Sequence, residues 1–365
     1  MADPATVCKN AGMVSASKRV TVKDVARLAG VDPGTVSRAL NPSSRSLVRD
    51  STAERVLAAV RQLGYQPNSF ARGLKTNRSF AIGVLIPDLT NPLFPPIVRG
   101  IQSRVEREGY TVLLGSTDND NQRARADLSA LRAQRVDGII AATARRKDDV
   151  LDELARAGVP LVLVNRVSEG RAVTAASGDD RKGMRLAVEH LAGLGHRHIA
   201  FIGGPSTLST GFQRRQGFLE AMQLCGLDMP PELVLSGDAF SETEGARLGA
   251  ELFAGKKRFT AIAAANDLLA LGCYDVLAQR GLSCPDDVSV IGFNDMPFAG
   301  RFNPPLTTIR IPHVQLGEAA GSLLLELIAD PDSQSRQVLL DPDLVVRGST
   351  APPVKTGAAA RTRSR

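Results

Sequence analysis

Thr35, Ser37, Arg38 and Asn41 gather hydroxyls, a guanidinium and an amide into seven residues of the segment VTVKDVARLAGVDPGTVSRALN (20–41). Presented outward from a basic segment, such groups suit a polyanion. A second set of hydrogen-bonding side chains lies far downstream. Arg214 falls in FQRRQGF (212–218), Asn266-Asp267 follows the run TAIAAA, and Asn294-Asp295 follows VSVIGF. All stand at or just beyond a strand end, or at a helix start, where the cleft residues of an α/β sheet belong. Taken singly, residues of these types more often cap helices or furnish loops.

Covalent chemistry has less support. No G-x-S-x-G, P-loop, H-E-x-x-H or G-x-G-x-x-G context occurs, so neither a nucleophile–base pair nor a phosphate cradle is on offer. The expectation is a protein that is not an enzyme, with no catalytic residue and no cofactor. His196 and His198 precede IAFIGG and would share one face of a strand, but a metal usually needs three convergent ligands, and no metal site is expected. Cys8, Cys225, Cys273 and Cys284 are widely spaced and form no C-x-x-C pair. They read as buried or idle thiols rather than as a disulfide framework or a zinc site.

The net charge of +7 is unevenly placed. Residues 18–80 hold twelve Lys and Arg against four acids, a surplus of +8, whereas residues 81–354 carry a net −5. A basic head on a mildly acidic body suggests a polyanion partner for the head alone, against the alternative of a merely solvated basic face. No apolar stretch reaches the ~18–20 residues that cross a bilayer. The opening MADPATVCKNAGMVSASKRV lacks the apolar core of a secretory signal and reads as a disordered leader, which implies a cytoplasmic protein.

The elements that must position the two sets differ in texture. In the head, Thr21 followed by Asp24 resembles a capping box for a helix near 22–29, and Gly30 ends it. Asp32 then offers a second N-cap, with Pro33 at the first helical position, and this helix stops at Asn41-Pro42. A third helix near 51–63 presents Val56, Val60 and Leu63 as a core stripe and closes at Gly64. Two short helices joined by a glycine turn, the second with outward polar residues, form a helix-turn-helix. Caps and stripe alone would serve a generic three-helix module equally well.

Residues 65–80 (YQPNSFARGLKTNRSF) are polar and basic, as expected of a linker, and too short for a stable free helix. From Ala81 onward, short β-rich runs alternate with amphipathic stretches. The runs AIGVLI, TVLLG, GIIAA, PLVLV, HIAFIGG, TAIAAA and VSVIGF read as strands, and the stretches between them as helices. Continuous apolar strands separated by helices imply a parallel sheet covered on both faces. Two strand sets, parted near 165–178, would build two doubly wound subdomains facing one cleft.

Residues 20–41 resemble the N-terminal signature of the lac-repressor family, matching V-T-x-x-D-V-A-x-x-A-G-V-x-x-x-T-V-S-R-x-L-N almost throughout. Similar blocks recur to about Thr350, among them GYQPN, ARGLK, IGVLIPDLTNPLF, LGHRHIAFIGGP, AAANDLLALG and IGFND…PPLTTIR. The resemblance implies an α/β protein with an N-terminal helix-turn-helix domain and a periplasmic-binding-protein-like domain of two doubly wound subdomains. It divides the chain into a disordered leader (1–18), a DNA-binding domain (19–65), a hinge (66–80), an effector-binding and dimerisation domain (81–350) and a disordered basic tail (351–365).

By the same resemblance, the second helix enters the major groove, and Thr21, Thr35, Ser37, Arg38 and Asn41 touch phosphates or base edges, with Arg38 suited to guanine. Pro33 and Gly34 hold the two positions that vary most with operator sequence. Neither has a side-chain hydrogen-bonding group, so more discrimination falls to Arg38 and DNA shape. The hinge would fold on DNA and wedge Leu74 into the minor groove, with Ala71 and Lys75 nearby. A sugar- or purine-like effector would lie between Asn91, Leu93 and Phe94 on one side and Arg214, Phe240, Asn266 and Asn294 on the other, with Asn165 and Arg166 near the crossover. Leu93 and Asn294 depart from the aromatic and the aspartate that many sugar-binding relatives have there.

The expected function is a cytoplasmic, nucleoid-associated homodimeric regulator, a repressor by family resemblance, whose affinity for double-stranded operator DNA responds to a small polar effector. The alternative is a periplasmic-type sugar-binding protein, which would share the body and would need a signal peptide in place of the basic head.

Overall fold

The computed structural model describes residues 20–40, 42–65, 78–170 and 172–354. They fall into two compact units divided at 77/78. The smaller unit holds helices α1 (Val22–Ala29), α2 (Pro33–Leu40) and α3 (Asp50–Leu63), with a 3₁₀ turn over Pro42–Leu47. Its local chemistry follows the sequence closely. The Asp24 carboxylate accepts from the Thr21 backbone N–H at 2.9 Å, closing the start of α1. Gly30 ends the helix at φ 65°, in the left-handed region that glycine enters without a Cβ penalty. Asp32 caps α2 by accepting from the Thr35 amide at 2.9 Å. Val25, Val36, Ala53 and Val56 are fully buried where the three helices meet.

In the larger unit, β1 (Ala81–Ile86), β2 (Thr111–Ser116), β3 (Gly138–Ala141), β4 (Leu161–Val164) and β5 (Thr174–Gly178) join β11 (Gln337–Leu340) in an all-parallel sheet of order β11-β5-β4-β3-β1-β2. Helices α4 (Phe94–Glu106), α5 (Asn121–Ala133) and α6 (Asp149–Arg156) connect its strands. The second sheet comprises β6 (Ile199–Gly203), β7 (Val234–Ser236), β8 (Ala261–Ala264), β9 (Ser289–Asn294), β10 (Thr307–Arg310) and β12 (Asp343–Val345), in the order β12-β10-β9-β8-β6-β7. Only β12 runs antiparallel. Around it lie α7 (Asp180–Gly193), α8 (Ser209–Leu224), α9 (Glu242–Ala254) and α10 (Asp267–Gln279). Central strands β1, β3, β4, β6, β8 and β9 are almost wholly buried, as strands with helices on both faces must be.

The chain crosses between the sheets three times. It leaves the first after β5, later than the interval 165–178 would suggest, because β5 still pairs β4. It returns through α11 (His313–Ala329), which packs on α4 and against β3, β4 and β5, and then pairs β11 with β5. It crosses once more to lay β12 on β10. The seven strands and seven helices read from patterning are present, with ends shifted by up to three residues. Periodicity did not mark β5, β7, β10, β11, β12 or α11. The strands among these have only three to five residues, and α11 is apolar on several faces, which blurs a 3.6-residue repeat. Among the described residues no helix is long and apolar enough to cross a membrane.

Candidate functional site

The smaller unit offers one face. Along α2, Val36 and Ala39 are buried against the other helices while Pro33, Ser37 and Arg38 are exposed and Gly34 is half-exposed. Positions 33, 34, 37 and 38 share one side of a helix at i, i+3 and i+4 spacing. A Cβ at Gly34 would lie 2.8 Å from an Asp32 carboxylate oxygen and 3.4 Å from an Arg38 Nη atom. The Arg38 guanidinium thus reaches back over a position that has no side chain. Thr35 and Thr21 are placed less freely. The Thr35 hydroxyl donates to Asp32 at 2.5 Å and the Thr21 hydroxyl to Asp24 at 2.7 Å. These bonds occupy the protons that would go to a phosphate. The hydrogen bonds from Thr35 hold the Asp32 carboxyl below its ordinary range. Asn41, Ala71, Leu74 and Lys75 lie outside the described residues.

The larger unit gathers its polar side chains at the carboxyl ends of β4, β8 and β9 and the start of α8. Arg214, on α8, is 3% exposed and makes one hydrogen bond from each nitrogen: Nε donates to Asp180 at 2.8 Å, Nη1 to the Ala265 carbonyl at 2.7 Å, and Nη2 to Asn294 Oδ1 at 3.1 Å. Its guanidinium lies 3.9 Å over the Phe293 ring and 5.8 Å from Phe240. Burial pushes the Asp180 carboxyl up, and the facing Arg214 charge opposes that shift. Asn294 reaches Arg214 from a backbone at φ 109°, a conformation that L-residues rarely adopt. Asn266 spends its side-chain oxygen capping α10, accepting from Leu269 N at 2.8 Å. Asp267 is fully buried, accepts from the Thr308 hydroxyl and the Met296 amide, and is pushed up to about 7 by desolvation.

From the first sheet, Asn165 and Arg166 follow β4, buried to 7% and 6% exposure. Asn165 turns the chain at φ 66°. Arg166 donates to Asn119 Oδ1 at 2.9 Å, and Arg145 donates to the Asn119 carbonyl at 2.8 Å. Desolvation, then repulsion from Arg145 and Arg214, drags the Arg166 guanidinium down to about 10. Arg214, Asn294 and Phe240 therefore form one cluster, Asn266 follows the Ala265 whose carbonyl Arg214 holds, and Arg166 faces the cluster electrostatically. Asn91 accepts from Leu93 N at 3.0 Å in the turn before α4, while Leu93 and Phe94 are buried in the hydrophobic core.

Sequence reasoning passed over Asp180, Asn119, Arg145 and His313. The first three stand within four residues of the ends of β5, β2 and β3, so the strand-end rule would have reached them had it been applied to every strand. His313 opens α11. Its Nε2 has no hydrogen-bond partner, and burial and the nearby Arg214 charge hold the ring down at about 4. The histidine pair of the sequence does not act together. His196 is buried, with its two ring nitrogens on Thr260 and the Ala351 carbonyl, whereas His198 is exposed, and both precede β6. Among the described residues no three His, Cys, Asp or Glu side chains converge on a metal position.

Residues 21–68 match the family model described as bacterial regulatory proteins, lacI family, and residues 188–350 match a periplasmic binding protein-like domain. A transcriptional repressor named PurR from Photobacterium profundum is 35% identical over 330 residues, covering 90% of this chain and 98% of its own. The ribose operon repressor of Escherichia coli K12 is 34% identical, covering 90% of this chain and 99% of its own. Among solved structures, the lac repressor dimer bound to operator and the anti-inducer ONPF superposes with a TM-score of 0.79 at 31% identity, over 92% of this chain and 100% of that one. The regulator CelR in complex with cellobiose gives a TM-score of 0.70 at 31% identity, over 91% and 100%. A capped helix pair followed in sequence by two parallel-rich α/β sheets, matched over 90% of the chain by a repressor 35% identical to it, makes this chain a member of the lacI family of bacterial regulatory proteins and a DNA-binding transcriptional regulator.

Proposed function

We propose that the protein is a cytoplasmic repressor that binds a pseudo-palindromic operator as a homodimer and releases or grips it according to a small effector in the cleft of the larger unit. The observation that carries this reading is the exposed row Pro33, Gly34, Ser37 and Arg38 on a helix whose opposite side is buried. Such a row fits the major groove, where a guanidinium pairs with the O6 and N7 acceptors of guanine. With Thr21 and Thr35 spending their hydroxyl protons internally, base discrimination rests on Arg38 and Ser37, and the smooth surface at Pro33 and Gly34 admits a close approach to the bases. Asn41 adds a phosphate contact. Leu74 is the minor-groove wedge of a hinge that folds on DNA, flanked by Ala71 and Lys75.

The cleft binds its ligand without transforming it. Arg214 and Asn294 present guanidinium and amide groups to hydroxyls or ring nitrogens, and Phe240 covers an apolar face. Asn165, Arg166 and Asn266 complete the polar rim. Asn91, Leu93 and Phe94 support the wall on the first-sheet side. A change in closure of the two subdomains on binding would alter hinge spacing and so shift operator affinity.

Selection of bound sequences from a random duplex pool at fixed salt tests the reading. The expected outcome is a two-fold symmetric motif with specific affinity that falls steeply as salt rises. Arg38→Ala should lose roughly 1–3 kcal/mol of discrimination at one base pair per half-site while non-specific affinity falls less. Recovery of no motif, or an unchanged ratio of specific to non-specific binding in Arg38→Ala, would refute it.

A further inference from the structure

We propose that the effector carries an oxyanion, a carboxylate or a phosphate monoester, and that Arg166 and Arg145 hold it. This rests on the assignment of the cleft as the effector site and deepens it by naming the ligand's charge. The inference comes from balancing the charges around the cleft. Arg214 is neutralised by Asp180 at 2.8 Å. Arg146 is neutralised by Glu169, which it holds through two parallel hydrogen bonds of 2.6 and 3.0 Å. Asp295 is satisfied by Arg310 and Arg347, each at 2.7 Å.

Arg145 and Arg166 have no such partner. Among the described residues no carboxylate lies within ion-pair distance of either side chain; both guanidiniums instead grip the two oxygens of Asn119. The acids beside Asn119 and Arg145 in sequence make other bonds. Asp118 pairs with Arg123, Asp120 caps α5 by accepting from the Arg123 amide, and Asp148 caps α6 by accepting from the Leu151 amide while its other oxygen accepts from the Arg145 backbone N–H at 3.1 Å. Positions 165 and 294 carry neutral amides, and Asp180, the buried acid at the cluster, is held by Arg214.

Arg166 makes the argument sharper. It is 94% buried, yet only one of its five N–H groups has a hydrogen-bond partner. A cation so enclosed, with a neutral amide as its protein partner, recovers less of its desolvation cost than one paired with a carboxylate. A neutral polyol would satisfy some donors and leave the charge. An oxyanion supplies two or three acceptor oxygens that match the planar fork and cancels the charge as well. Burial together with repulsion from Arg145 and Arg214 lowers this guanidinium to about 10, still charged at neutral pH, and a bound anion would offset that shift.

Thermal-shift titration and calorimetry of the full-length protein with matched probes test the proposal: ribose against ribose 5-phosphate, glucose against glucose 6-phosphate and glucuronate, and inorganic phosphate alone. At least one anionic probe should bind about 10- to 100-fold more tightly than its neutral parent, the range expected for a charge-assisted contact. The phosphate and carboxylate arms tell which oxyanion is preferred. Arg166→Gln should abolish that preference and keep the melting temperature of the free protein unchanged or raised. Neutral sugars binding as tightly as the anions, anions producing no shift in the parent protein, or a preference that survives in Arg166→Gln would each overturn it. If a neutral sugar binds as tightly as its anionic counterparts and Phe240→Ala abolishes that binding, the charge assignment fails while the effector cleft stands. If neither class binds, both fail.

Discussion

Single residues in the cleft set how the molecule responds to pH. Asp267 is buried at the start of α10, where desolvation outweighs the bonds from Thr308 and Met296 and raises its carboxyl to about 7. An unfolded aspartate titrates near ~3.9. The folded chain therefore binds this proton more tightly than the unfolded chain does. The stability it contributes is fully present below about pH 4 and is lost as pH rises through about 7. Asp267→Asn removes the titration. In urea denaturation from pH 4.5 to 8, the stability of the parent relative to this variant should fall as pH rises to about 7 and level off above it. A difference that stays flat across that range would contradict the assignment.

Between elements, contact distance is decided by where side chains are missing. Helices α4 and α11 meet with their backbones nearly touching: a Cβ at Gly100 would sit 2.1 Å from the Val314 carbonyl oxygen, and one at Gly317 would sit 2.0 Å from that of Ile97. Each glycine makes room for the other helix, and this junction fixes α11 to the first subdomain after the chain has left the second. Gly317→Ala cannot be absorbed by turning a side chain, because the atom it meets is backbone. It should cost about 1–3 kcal/mol or more, read as a lowered urea midpoint. The same helix begins at His313, close to Arg214 electrostatically, so a displaced α11 should also weaken ligand binding.

Across the larger unit as a whole, Arg146 ties the two subdomains together. It follows β3 of the first sheet, yet its backbone N–H donates to Thr207 at 2.9 Å, its Nη1 donates to the Ser206 carbonyl at 3.0 Å, and its guanidinium lies 3.7 Å over the Phe212 ring. Ser206, Thr207 and Phe212 all belong to the second subdomain, just before and at the start of α8. Glu169 steadies the guanidinium from the first-subdomain side. The Val167 amide adds a second bridge by donating to the Ser209 hydroxyl at 2.9 Å. Arg146→Ala should loosen closure, speeding ligand release by about tenfold and raising amide exchange over 206–209, with the melting temperature lowered only slightly. Unchanged release and exchange would show that closure is held elsewhere.

What the sequence determined by itself is whatever depends on residues within a few positions of one another. The capping of α1 by Thr21 and Asp24, the turn at Gly30, the Asp32 cap of α2 and the outward row from Pro33 to Arg38 are of this kind, as are the seven apolar runs that became strands. Caps, turns and pleats are short-range, so patterning reaches them. The tertiary structure alone decided which sheet each crossing strand joins, since β11 finds β5 from more than 150 residues away. It decided that Arg214 is paired by Asp180, 34 positions earlier, and that Arg166 is paired by no carboxylate among the described residues. It also sent Leu93 and Phe94 into the core. Burial and charge compensation arise only when distant segments meet, and no local spacing encodes them.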